Sequence, residues 1–191
     1  MIEMRVHGRG GQGAVVASKA LADAVFSEGK WVQAFPSFGV ERRGAPVAAF
    51  VRIDDRPVRL RNEIYEPDHV IVLDPTLLST GIPLAGLKEG GTVLINTPEP
   101  PESFANLGNY RIVTVDASRI AAEHRLGSKA APIVNTAILG ALIRVVPVCS
   151  LESRAKAVEA NVPVKQAENA AAARVAYEAV RLSRDEAKNA V

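Results

Sequence analysis

Residues 7–21 read HGRGGQGAVVASKAL. A strand-like segment, EMRVHG, runs into this stretch, and AVVASKALADAVFSEG runs out of it with helical spacing, Val15, Leu21 and Val25 falling near one stripe. Gly29 stands where a helix C-terminus favours a residue free to take positive φ. Strand, glycine turn and helix in that order are the opening unit of an α/β fold. Gly8, Gly10 and Gly13 also fit G-x-G-x-x-G in the context that fingerprint requires. Three kinds of use stay open: nucleotide binding, packing alone, and close approach by another group. A dinucleotide site wants an acid at the end of the next strand for the ribose, but that strand ends AFPSFG with no acid before Glu41. A phosphate-cradling P-loop wants Lys-Ser or Lys-Thr at the helix start, and Lys19 lies too far inside. The glycines can instead serve only a tight turn and close helix-to-strand packing. In the third use, free N–H groups at the helix start, flanked by Arg9 and Gln12, meet a phosphate, a carboxylate or a partner's backbone.

Outward from the turn the periods alternate. WVQAFPSFG and PVAAFVRI read as two strands joined by VERRGA, and DDRP after them favours a reversal. HVIVLD and GTVLINT are apolar on both faces, as buried parallel strands are, and PTLLSTGIPLAGLKEG between them supplies the crossover. YRIVTVDA is a further strand of this kind. Helices are expected at SRIAAEH, at NTAILGALIRVV with Asn135 as N-cap, at LESRAKAVEANV, and from Lys165 to Ala190, with Pro163 between the last two. The alanines of the last helix suit close packing rather than low complexity. The fold expected is a three-layer α/β/α sandwich, its sheet mostly parallel with an antiparallel hairpin at Trp31 to Ile53. A chain of 191 residues supports one such domain, spanning 1–191.

Composition narrows the function. The chain is 48% hydrophobic and 23% charged, with apolar residues in short runs, so a globular protein without a membrane span is expected. Met1 leads almost directly into a strand with no leader-like segment, which places the protein in the cytoplasm. Cys149 is the sole cysteine, whereas a cysteine-ligated iron–sulfur cluster needs about four thiolates. Any such cluster belongs to a partner. His7, His69 and His124 lack metal-ligand spacing, so no metal is expected and the histidines are read as hydrogen-bonded or surface residues. A net charge of +2 with few aromatics argues against nucleic acid.

Charge is informative locally. From Val40 to Arg61 there are six arginines against three acids. Arg42 and Arg43 stand on the hairpin loop beside Gly44, where guanidinium groups can reach outward and glycine admits another surface. Two readings fit: a solvated loop with interface salt bridges, or a pair of guanidinium groups for a phosphate-bearing ligand.

GRGGQGAVVASKAL followed by PSFGVERRGAPVAAFVRI resembles the gamma subunit of the 2-oxoacid:ferredoxin oxidoreductases of pyruvate synthase type. The resemblance spans essentially the whole chain, including VIVLDPTLL, GTVLINT and NTAILGALIRV. In the 2-oxoglutarate and indolepyruvate types the hairpin loop runs closer to GPEMRGG or GMAQRGG. The loop here favours pyruvate or a close relative; phenylglyoxylate, 2-oxoisovalerate and oxalate enzymes remain alternatives.

The resemblance implies a division of labour. Thiamine diphosphate and magnesium belong between alpha and beta subunits, 4Fe-4S clusters to a delta subunit, and no cofactor to this chain alone. The complex oxidatively decarboxylates a 2-oxoacid with coenzyme A as cosubstrate, giving acyl-CoA, carbon dioxide and reduced ferredoxin. The chain itself carries no catalytic residue. Arg42 and Arg43 are the candidate contacts to coenzyme A phosphates. Gly8, Gly10, Gly11, Gln12 and Gly13 form a close-approach loop for ligand or partner subunit, with Gln12 as its hydrogen-bonding side chain. A Rossmann-type nucleotide-binding module is the alternative of another class.

Overall fold

In the computed structural model, which describes residues 1–37, 44–128, 130–162 and 164–183, strand β1 (Ile2–Arg9) passes through the glycine turn into helix α1 (Ala14–Ser27). Strands β2 (Trp31–Pro36) and β3 (Pro46–Asp54) pair antiparallel, in register from Trp31 opposite Asp54 to Pro36 opposite Ala49. Next come β4 (His69–Val72), β5 (Thr92–Asn96) and β6 (Arg111–Val115), then α2 (Ala117–Glu123). The two-residue strands β7 (Gly127–Ser128) and β8 (Ala131–Pro132) form a separate small ribbon. Helices α3 (Asn135–Val145), α4 (Leu151–Asn161) and α5 (Gln166–Glu178) precede β9 (Arg181–Leu182).

The seven-stranded sheet has the order β2-β3-β1-β4-β5-β6-β9. Its centre, β1-β4-β5-β6, is parallel. Both ends are antiparallel, because β3 pairs against β1 along its length and β9 against β6. The mixed α/β sheet with an antiparallel hairpin is as expected; the reversal at β9 is not.

One face of the sheet carries the main core. Met4, Val6, Val51, Ile71, Leu94 and Val113 point toward Leu21 and Val25 of α1 and Ile138 and Leu142 of α3. Every residue of α3 except Arg144 is buried, as for a helix covered on all sides. Its Gly140 lies so close to α5 that a Cβ there would come within 1.8 Å of the Ala173 carbonyl oxygen. Small residues let these two backbones touch, which accounts for the alanines of α5.

The other face is covered differently. Val70, Val72, Val93 and Ile95 lie under Leu78, Leu84, Phe104 and Leu107. These come from short 3-10 turns at Pro75–Thr80, Ile82–Leu84 and Pro101–Leu107, each with proline at its start. Toward β1 and β3 this layer is held by buried arginines. Arg5 donates to the carbonyls of Pro83 and Ala85. Arg52, only 1% exposed, pairs with Glu3 at 2.7 Å and donates to the carbonyls of Asn62 and Glu63. Carbonyl acceptors and one carboxylate compensate a charge that burial would otherwise penalise.

Three local expectations need correction. Asn135 is the first residue of α3 rather than its cap; Val134 is the cap, and the Asn135 Oδ1 accepts from its neighbour Thr136 N–H instead. The final helix stops at Glu178 rather than continuing to Ala190, because Arg181 and Leu182 pair with β6. Val15 is half-buried, and the buried stripe of α1 is built largely of alanines around Leu21 and Val25. Gly29 does follow α1 with φ +86°, its N–H on the Phe26 carbonyl. Pro163 lies outside the described residues. No helix among the described residues is long and apolar enough to cross a membrane.

Candidate functional site

After β1 the chain goes to β2 and β3 on one side, then crosses to β4 on the other. The carboxyl ends of β1 and β4 therefore flank the point where strand order reverses, the place where open α/β sheets leave a crevice. The glycine turn lies there. Gly11 and Gly13 take φ of +96° and +81°. A Cβ on Gly11 would meet nothing within 4 Å, so its backbone faces open space, whereas a Cβ on Gly13 would fall 2.3 Å from the Asn135 amide nitrogen. Gly8 is packed against Leu73 and Gln12.

The turn is tied to the base of the hairpin. Gly10 N–H donates to the Ala45 carbonyl at 2.8 Å, and Gly44 N–H donates to the Gly10 carbonyl at 3.1 Å. Arg9 reinforces the joint: its guanidinium pairs with Asp74 at 2.8 Å and donates to the Gly44 carbonyl and to Thr76 Oγ1. The structure thus brings together the two stretches singled out in sequence. Arg42 and Arg43 themselves lie outside the described residues.

Gln12 has an internal role. Its Oε1 accepts from Arg9 N–H at 2.7 Å and its Nε2 approaches Asp74 at 3.4 Å, closing the turn on itself. Asp74 also accepts from the Thr76 backbone and hydroxyl. Burial pushes its carboxyl up, but the bonds from Thr76 and Arg9 outweigh this and hold it below the usual carboxylate range. Asp74 and Thr76 were not candidates from sequence. The signal available was Asp-Pro-Thr after the apolar run HVIVL, a cap-and-turn pattern at a strand end.

Clefts open on both sides of the turn. One, of about 470 Å3, lies between Gly10–Gln12, Asp74 and Asn96–Pro98. Asn96 closes its floor, donating to the Leu73 carbonyl and Ser118 Oγ and accepting from Ser118 N–H. The other, of about 300 Å3, is lined by Arg9, Gly10, Gly11 and Gly13, the first residues of α1, and Val47 at the hairpin base. The N-terminus of α1 carries no side-chain cap, so its N–H groups remain available on this side.

The geometry disfavours a dinucleotide. In a Rossmann half the second strand lies parallel beside the first and offers its acid there. Here antiparallel β3 occupies that position and β2 is displaced to the edge, ending at Pro36.

Two of the histidines depart from expectation. His7 is 5% exposed and its Nε2 finds no partner among the described residues; burial, aided by Arg5, lowers its pKa to about 4. His69 Nδ1 is likewise buried without a partner. Cys149 is buried, which pushes its thiol up to about 11 and leaves it a poor thiolate.

Comparison with known proteins adds to this geometry. Residues 3–179 match the family described as Pyruvate ferredoxin/flavodoxin oxidoreductase. The common gamma subunit of pyruvate/ketoisovalerate oxidoreductases from Thermococcus litoralis is 52% identical over 182 residues, covering 93% of this chain and 96% of the relative. A pyruvate synthase subunit PorC from Methanothermobacter marburgensis is 50% identical, covering 96% of this chain and 99% of the relative. The crystal structure of the pyruvate oxidoreductase subunit PORC from Thermotoga maritima is 40% identical, with a TM-score of 0.82, and covers 96% of this chain and 98% of that one.

Proposed function

Because the chain belongs to the pyruvate ferredoxin/flavodoxin oxidoreductase family, we propose that it is the gamma subunit of a 2-oxoacid:ferredoxin oxidoreductase complex acting on pyruvate or a related 2-oxoacid. Its work in that complex is assembly and access for coenzyme A; the chemistry belongs to partner subunits. A single cysteine, buried, does not fit the thiolate set of a 4Fe-4S cluster. The redox centres are therefore assigned to a delta partner and thiamine diphosphate with magnesium to alpha and beta partners, by resemblance to the family. Pyruvate and 2-oxoisovalerate are both open as substrates, since relatives named for pyruvate alone and for pyruvate and ketoisovalerate together are about equally similar.

The observation that carries the coenzyme reading is the joint between the glycine turn and the hairpin base. Gly44 is bonded to Gly10 and held by Arg9, and Arg43 is its covalent neighbour. The same joint borders the cleft onto which the uncapped start of α1 opens. Bare N–H groups and a guanidinium suit the pyrophosphate or 3′-phosphate of coenzyme A.

The test is Arg43→Ala in the complex assembled with its partners. Loss of a charge-assisted hydrogen bond of about 1.5 to 3 kcal/mol raises the KM for coenzyme A roughly 10- to 150-fold. Decarboxylation before coenzyme A enters stays unchanged, and Arg43→Lys recovers part of the loss. A complex that assembles normally with an unaltered KM for coenzyme A overturns the phosphate role; equal damage to both half-reactions with loss of assembly assigns Arg43 to an interface.

A further inference from the structure

A mostly apolar cavity near the glycine turn lies on neither side described above. It measures about 400 Å3 and lies between α1, the start of α3 and the connection from α4 to α5. Val16, Leu126, Ile133, Val162 and Val164 form its walls. Three of these are unusually open for large apolar residues, Val16 at 41%, Ile133 at 46% and Val164 at 66%. Volume and lining match a small-ligand pocket, mostly apolar with a few convergent polar groups.

The polar groups set the chemistry. Asn169 is saturated, its Oδ1 accepting from Thr136 and its Nδ2 donating to the Val164 and Lys165 carbonyls. Asn161 has its Nδ2 committed as well, donating to Asp23 and the Ala157 carbonyl. Asn135 is different. It lines the cavity, is 6% exposed, and its Oδ1 accepts from Thr136, yet its Nδ2 has no acceptor among the described residues. An amide donor without an acceptor is one that a ligand oxygen can engage. Lys165, also lining the cavity, adds an exposed cation at the rim; its Nζ donates to the Arg125 carbonyl and keeps further protons for a ligand. The lining thus carries a free donor and a positive charge but no acid.

We propose that this cavity binds a short-chain carboxylate with a branched apolar body, its oxygens on Asn135 Nδ2 and toward Lys165 and its alkyl end against Val16, Ile133 and Val164. Such a molecule can be a 2-oxoacid or a simple branched acid; the shared chemistry is the carboxylate and the isopropyl group. The site is separate from the coenzyme cleft, although the Asn135 side chain lies directly against Gly13. Occupancy is therefore felt at the glycine turn.

The test is a titration of the isotopically labelled full chain, followed by methyl and amide NMR. The probes are 2-oxoisovalerate, isovalerate and pyruvate. The expected result is saturable shifts at the Val16, Ile133 and Val164 methyls, the Asn135 side-chain amide and the Gly13 N–H with the two branched acids, and binding at least about tenfold weaker for pyruvate, which lacks the isopropyl group. Tighter binding of one branched acid identifies the source as 2-oxoacid or simple acid, and both orders support the site. Val16→Phe, at a partly exposed helix position, narrows the cavity and should abolish these shifts while leaving the rest of the spectrum in place. Absence of saturable shifts, equal affinity for pyruvate, or unchanged binding in Val16→Phe overturns the proposal. So does a labelled gamma subunit in the assembled complex whose reporters are already shifted and no longer respond to any probe, since a partner's side chain then fills the cavity.

Discussion

At Gly13 two separate constraints meet: φ is +81°, and the space a Cβ would need is taken by Asn135. At Gly11 only the first applies. Gly11→Ala should therefore cost about 1 to 2 kcal/mol, the ordinary strain of a left-handed residue with a Cβ. Gly13→Ala adds a steric clash and should cost about 2 to 5 kcal/mol. Urea midpoints of the two variants measure the difference, and equal losses would mean that Asn135 simply moves aside. His7 makes a prediction in pH. Its folded pKa is about 4 against 6.5 for the free side chain, so the unfolded chain takes up the proton first. Stability should fall as pH drops from about 6.5 to about 4 and lose nothing further through His7 below that. His7→Phe should flatten this limb of the curve; an unchanged slope would show that the ring nitrogen is solvated after all. Asp68 and Asp74, both lowered, act below this window. The glycine turn was legible from spacing alone, because glycines clustered between a strand and a helix mark a tight turn. The Arg9–Asp74 pair was not: 65 residues separate its members, and nothing local ties one to the other.

Between elements, legibility followed periodicity. Apolar runs such as HVIVL and TVLIN identified β4 and β5, and the spacing in α1 and α3 identified helices, because burial on one or both faces leaves a repeat in the sequence. The second layer leaves none. Its 3-10 turns are short, and its attachment uses Arg5 and Arg52 on backbone carbonyls, which any sequence can supply. The end of α5 was misjudged for a related reason: helix propensity favours continuing through alanine and glutamate, but pairing of Arg181 and Leu182 with β6 overrides it. The α3–α5 contact offers the sharpest test at this scale. Gly140→Ala puts a methyl group where the Ala173 carbonyl already is, so the helices must separate. A loss of about 1 to 3 kcal/mol is expected despite alanine's better helix propensity. Thermal unfolding decides it, and a stabilised variant would show that propensity outweighs the contact.

For the whole molecule, the proposed division of labour predicts inactivity in isolation. The purified chain should reduce no viologen dye with any 2-oxoacid, and co-expression with its partner subunits should restore turnover. Dye reduction by the lone chain would place redox chemistry here and refute the subunit reading. Thermal-shift scans with NAD and FAD should give no saturable stabilisation, because β3 occupies the position of the strand that would carry the ribose acid.

Taken alone, the sequence determined the strand-turn-helix opening, the parallel centre of the sheet, the absence of a thiolate set and the resemblance to an oxidoreductase subunit. Each rests on adjacent residues or on composition, which folding does not rearrange. The tertiary structure decided that β3 lies between β1 and β2, that Gly10 and Gly44 bond across the intervening chain, and that Asn135 fills the space beside Gly13. These are long-range contacts. Their energy depends on which surfaces the packed core leaves facing one another, and no repeat or motif along the chain records that.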